Sequence, residues 1–169
     1  MDNLEISPTQ GYYATVYDKR ATKTAIDHKI EEMIMSTATE TPAQFRYTRE
    51  HEWVRSQGSE LEVGITAYAA QQLGDVVFVE LPQVGRAIVA GQPFGVVESV
   101  KSVSDLFAPV SGRVTAVNTA LENAPEQIND APYAAGWIIR VAADNPNDLQ
   151  TLLSADEYSA WISAATQKK

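Results

Sequence analysis

From Phe45 onward the apolar residues fall into short β-branched runs broken by glycine and proline, a pattern that predicts a mostly β domain. Leu61-Glu62-Val63-Gly64-Ile65 alternates as a half-buried strand does, and Val76-Val77-Phe78-Val79-Glu80-Leu81 is a second run that Pro82 ends. Further strands are expected over 94–100, 103–107, 113–118 and 136–142, with a turn at Gly91-Gln92-Pro93. Residues 66–73 read as a short helix, with Thr66 as N-cap and Gly74 as its stop. After residue 144 the period changes to that of helices. Asn145-Pro146 opens one expected to end near Leu153, and Ser154-Ala155-Asp156-Glu157 is a capping box for a second through about Ala165.

The segment before this body reads differently. Ile26, Ile30, Met33 and Ile34 recur at helical spacing, so a short amphipathic helix is expected within 19–34. Residues 36–43 are small and polar and read as a linker. Three parts follow: an extension and linker over 1–44, expected to be poorly ordered, a folded body over 45–165, and a tail over 166–169.

Within the body a unit repeats. Leu81-Pro82-Gln83-Val84-Gly85-Arg86-Ala87 matches Ala108-Pro109-Val110-Ser111-Gly112-Arg113-Val114, pairing Pro82 with Pro109, Gly85 with Gly112 and Arg86 with Arg113. Two such strand–turn–strand units are each too small to bury an apolar face and are expected to pack on each other. Both glycines are expected at positive φ.

Charge and composition narrow the function. A formal net charge of −9 argues against nucleic acid or an anionic membrane as partner. Cysteine is absent, which removes disulfides, thiolate metal sites and a catalytic thiol, and no apolar run approaches the ~20 residues that span a bilayer. Residues 1–34 hold six acids against four bases, unlike a transit peptide. Cytoplasmic location is therefore expected, with the mitochondrial matrix as the alternative. His28 and His51 are the only histidines, and neither a nucleophile elbow nor a phosphate loop is present. Such a chain is chemically poor alone, and no metal site or catalytic residue is expected.

One residue stands out against that poverty. Lys101 is the only lysine between Lys29 and Lys168, while Arg46, Arg49, Arg55, Arg86, Arg113 and Arg140 supply the other bases of the interval. A lysine amine can be acylated, whereas a guanidinium stays charged and is a poor nucleophile. Lys101 lies between the matched Pro-x-x-Gly turns, where a hairpin tip is expected, so it would be exposed to a modifying enzyme.

Glu98-Ser99-Val100-Lys101-Ser102-Val103-Ser104-Asp105, with Ala108-Pro109-Val110-Ser111-Gly112, resembles the lipoylation segment of the glycine cleavage system H-protein family. The resemblance extends to Tyr47-Thr48-Arg49-Glu50-His51-Glu52-Trp53-Val54, to Leu73 through Pro82, and to Pro132-Tyr133 and Gly136-Trp137, covering about residues 45–163. It implies a hybrid barrel-sandwich of the lipoyl/biotinyl type with helical additions, and lipoate in amide linkage to Lys101. It also implies a non-enzymatic carrier that shuttles the methylamine group of glycine. The implied partners are glycine decarboxylase, the aminomethyltransferase, dihydrolipoyl dehydrogenase and a lipoyl-attaching enzyme. Glu52 and Asp105 match acidic positions of the cleft that receives the arm, and Tyr68 stands where some members have histidine. The alternatives are a lipoyl or biotinyl domain of another acyl- or carboxyl-transfer complex, or an unmodified binding relative.

Overall fold

The computed structural model of the protein describes residues 41–167. The helix expected within 19–34 and most of the linker lie outside the described residues, as does the end of the tail.

Nine strands are present among the described residues: β1 (Arg46–Tyr47), β2 (Glu52–Gln57), β3 (Glu60–Ile65), β4 (Val76–Glu80), β5 (Ala87–Ile88), β6 (Pro93–Ser99), β7 (Val103–Phe107), β8 (Gly112–Val117) and β9 (Ile139–Ala143). Three helices accompany them: α1 (Ala67–Leu73), α2 (Gln127–Asp130) and α3 (Ala155–Thr166), with 3-10 turns at Thr119–Glu122 and Pro146–Thr151. One sheet runs β1-β2-β3-β9-β8-β5 and a second runs β4-β6-β7, every pair antiparallel. Val54, Val63 and Val141 from the first sheet and Val79, Val97 and Leu106 from the second belong to one buried cluster, so the two sheets share a core. This is the mostly β architecture that the sequence pattern predicts, in the barrel-sandwich arrangement that the resemblance implies.

Local signals read from the chain are present as expected. The Thr66 hydroxyl accepts from the Ala69 N–H (3.2 Å) and caps α1, which Gly74 closes by donating its N–H to the Ala70 carbonyl (3.2 Å). The capping box of α3 is complete, with Ser154 and Glu157 each bonded to the other's backbone N–H.

The expected strand over 136–142 begins later, at Ile139. The preceding residues fold as a turn because the Asn118 amide donates to the carbonyls of both Ala135 (2.8 Å) and Trp137 (2.7 Å). Nor is there an α-helix over 146–153. That segment is a 3-10 turn, since Leu153 must extend to exchange two backbone bonds with Tyr47 at 2.9 Å each. Helix α2 has no strong signal in sequence; Asn129 in it accepts from the Val76 N–H (2.9 Å) and donates to the Gly74 carbonyl (2.9 Å), tying α1 to β4.

The repeat units do pack on each other. β5 pairs with β8, Gly85 N–H donates to the Val114 carbonyl (2.7 Å), and Val114 N–H donates to the Arg86 carbonyl (2.9 Å). Their glycines are not equivalent, however. Gly85 has φ +90 with open space around it, as expected, but Gly112 is not at positive φ. It is glycine because a Cβ there would stand 2.3 Å from the Ala142 carbonyl oxygen on the neighbouring strand.

These different causes predict different mutational responses. Gly85→Ala should cost about 1–2 kcal/mol of left-handed strain, and Gly85→Asn less, since asparagine tolerates that region. Gly112→Ala should cost about 1–3 kcal/mol by forcing β8 from β9, and asparagine should bring no relief. Denaturant unfolding of the four variants separates the two mechanisms.

Candidate functional site

The β6–β7 hairpin carries Lys101 at its tip, and short polar bonds set that tip. Ser99 N–H donates to the Ser102 carbonyl (2.8 Å), while the Ser99 hydroxyl accepts from the Lys101 and Ser102 N–H groups at 3.3 and 3.1 Å. Val100 N–H donates to the Asp75 carbonyl (3.0 Å), anchoring the tip to the residue before β4. Lys101 is exposed, and its side chain lies over the end of α1: a Cβ on Gly74 would come within 3.1 Å of the Lys101 Cε. Its stem occupies room that glycine leaves open.

Beside this tip opens a cleft of about 370 Å³. Ser102 and Ser104 line it from the hairpin, Tyr68 and Gln72 from α1, and His51 and Glu52 from the start of β2. Asp105 and Glu50 add two further carboxylates to its walls. Glu52, Tyr68 and Asp105, scattered in sequence, thus line one cavity that also reaches the neighbour of Lys101.

The three differ in character. Asp105 is exposed, and Tyr68 is half-buried with its ring 5.0 Å from that of His51. Glu52 is almost fully buried, at 1% exposure, and not a carboxylate of the strand surface. The Phe107 N–H donates to its Oε1 (3.0 Å) and the Thr48 hydroxyl to its Oε2, while the Glu52 N–H donates to the Thr48 hydroxyl oxygen (3.0 Å). Burial pushes the Glu52 pKa up, and these hydrogen bonds oppose the rise only in part. Glu52 therefore acts first as a tie between β2 and β7, and any effect on a cation in the cleft is exerted through its field.

Sequence reasoning passed over His51. It holds φ +80, the one non-glycine at positive φ among the described residues, in the turn between β1 and β2. Its Nδ1 lies 2.8 Å from the Tyr158 hydroxyl of α3, and burial lowers its pKa. The chain offers a hint in the scarcity of histidine, but neither the left-handed turn nor the contact with a residue 107 positions away can be read locally.

Known proteins align with this architecture. The sequence profile described as Glycine cleavage H-protein matches residues 45–165. The chain belongs to the glycine cleavage H-protein family. A glycine cleavage system H protein of Anaeromyxobacter sp. (strain K) is 55% identical over 123 residues, 73% of this chain and 96% of that protein. One from Geobacillus kaustophilus is 52% identical over 122 residues, again 96% of its length. The crystal structure of a glycine cleavage system H protein from Mycobacterium marinum superposes with a TM-score of 0.66 at 41% identity, covering 72% of this chain and 98% of that one. In this H-protein-family chain, both the hairpin lysine and the cleft beside it fall inside the matched residues.

Glu52 gives a pH-dependent prediction. A carboxyl whose folded pKa is raised contributes stability that is present below the ordinary carboxylate range and lost as pH rises through the elevated value. Glu52→Gln, which can keep an acceptor on Phe107, should flatten the stability profile between pH 4 and neutrality. Glu52→Ala should lose about 1–3 kcal/mol across that range by stranding the Phe107 N–H. Melting curves at stepped pH test both.

Proposed function

We propose that this chain is the lipoylated carrier of the glycine cleavage system, with lipoate joined to Lys101 through an amide. The chain is a carrier component and not one of the enzymes, and its family carries lipoate. The observation that supports Lys101 as the attachment point is its position: an exposed amine at a hairpin tip, its stem free to lie over Gly74 and a 370 Å³ cleft opening beside the next residue. The residues fit such a group, because a long arm on the tip has a polar, acid-lined recess within reach of its anchor.

When bound, the lipoyl group supplies a disulfide that can open to take up the methylamine fragment of glycine and be restored by reoxidation. The chain's own residues position and shelter. The serine turn presents the Lys101 amine, the Asp75 carbonyl holds the turn against β4, and Glu52 fixes one wall of the cleft to β7. Asp105 and Glu50 bring negative charge to the cleft, and Tyr68 lines it from α1. A protonated amine inside is attracted more strongly than in open water, since fewer waters and ions screen it.

The partners of this reading are glycine decarboxylase, the aminomethyltransferase, dihydrolipoyl dehydrogenase and the enzyme that attaches lipoate, acting in the cytoplasm. Among the described residues no helix is long and apolar enough to cross a membrane. The family match runs through α3, which does not favour a shorter lipoyl or biotinyl domain of another complex.

Lys101→Arg should keep the fold within about 0.5 kcal/mol, because an exposed charge at a turn adds little. It should abolish both the mass increment of one lipoyl amide and glycine cleavage in a reconstituted system. A variant that still supported the reaction would remove Lys101 from the role.

A further inference from the structure

His51, Tyr158 and Thr66 form a chain of hydrogen bonds, and the need to place each buried hydrogen gives that chain a direction. Thr66 is fully buried, and its oxygen accepts from the Ala69 N–H as the cap of α1. Its own hydrogen needs an acceptor, and among the described residues the one within bonding distance is the Tyr158 hydroxyl at 2.8 Å. With the Thr66 hydrogen placed on Tyr158, the Tyr158 hydrogen is left for Nδ1 of His51, also at 2.8 Å. The His51 backbone is held by the same residue, since the Thr66 N–H donates to the His51 carbonyl (2.9 Å). With Nδ1 an acceptor, the neutral ring carries its proton on Nε2.

We propose that Tyr158, reaching from the C-terminal helix, is a positioning residue that locks His51 as the neutral Nε2–H imidazole and so keeps the cleft suited to a small cationic amine. This rests on the reading of the cleft as the arm's recess. A protonated His51 would place a second cation in the same cavity, compete for Asp105 and Glu50, and repel the cargo. Protonating Nδ1 would also reverse the chain and leave the hydrogen of the buried Thr66 hydroxyl without that acceptor. The groups packed around His51 act in both directions. Glu50 on its own turn favours the charged form, but burial outweighs it. Tyr68 from α1 meets the ring at 5.0 Å, Tyr158 from α3 meets it edge-on at 5.8 Å, and Glu52 and Asp105 share the cleft wall.

The test is nitrogen NMR of the full chain labelled with 15N-histidine, with His28→Gln leaving His51 as the sole signal. At neutral pH the Nε2–H tautomer is expected. Tyr158→Phe keeps the ring that stacks on Tyr47 at 4.8 Å, yet should lose that signature and move the titration midpoint upward. Thr66→Ser, which retains the hydroxyl and the cap, should leave both the tautomer and the midpoint as in the parent. An Nδ1–H ring or an imidazolium in the parent at neutral pH overturns the proposal, and so does a folded Tyr158→Phe with unaltered tautomer and midpoint. On the methylamine-loaded carrier without the transferase, Tyr158→Phe should release cargo faster; equal decay overturns the cargo role. Failure of the Lys101 assignment would show separately in intact mass, since the tautomer is read on unmodified protein.

Discussion

A single buried carboxylate joins the two sheets where neither can satisfy the other. β7 is an edge strand, and at its end the Phe107 N–H turns away from β6 to meet Glu52 on β2. An unpaired amide there would cost about 1–3 kcal/mol, and a carboxylate buried without donors would cost more. Each group makes the other tolerable. Because the tie lies at one end of β7, the rest of that edge can stand apart from α1, and the space between them is the cleft.

The helical additions are more than a cover for the β body. Phe45, Tyr47, Trp53, Ala155 and Tyr158 make a second cluster, distinct from the core between the sheets, with Tyr47 and Tyr158 stacked at 4.8 Å. Beneath it Glu62 is buried between Arg55 and Arg140, its neighbours on the flanking strands β2 and β9, and the two guanidiniums lie over Trp53 and Trp137. A buried glutamate is held here by charge on both sides and by aromatic faces beyond. α3 thereby gains a firm seat, and its Tyr158 hydroxyl arrives at the cleft wall with defined geometry.

What could be read from the chain was whatever a few neighbouring residues decide. The Thr66 cap, the Ser154–Glu157 box and the strand at 103–107 depend on local bonding, and the Lys101 tip on two flanking runs. The 3-10 turn before Leu153 escaped because Tyr47, a hundred residues earlier, decides it. Gly112 misled for a related reason: its spacing matches Gly85, yet the atom that excludes a side chain belongs to β9. At the site, Glu52, Tyr68 and Asp105 were found through resemblance, while the engagement of both Glu52 oxygens and the left-handed backbone of His51 depend on distant partners.

Gly74 ends α1, and the Lys101 methylenes occupy the space its missing side chain leaves. Two positions far apart in sequence therefore share one small volume. A side chain at 74 would press on the stem at 101 and make it give by a few tenths of an ångström, so the stop of a helix and the heading of a tethered arm are coupled traits. Drift at one constrains drift at the other, and a defect in cargo handling can originate at a residue that has no functional group at all.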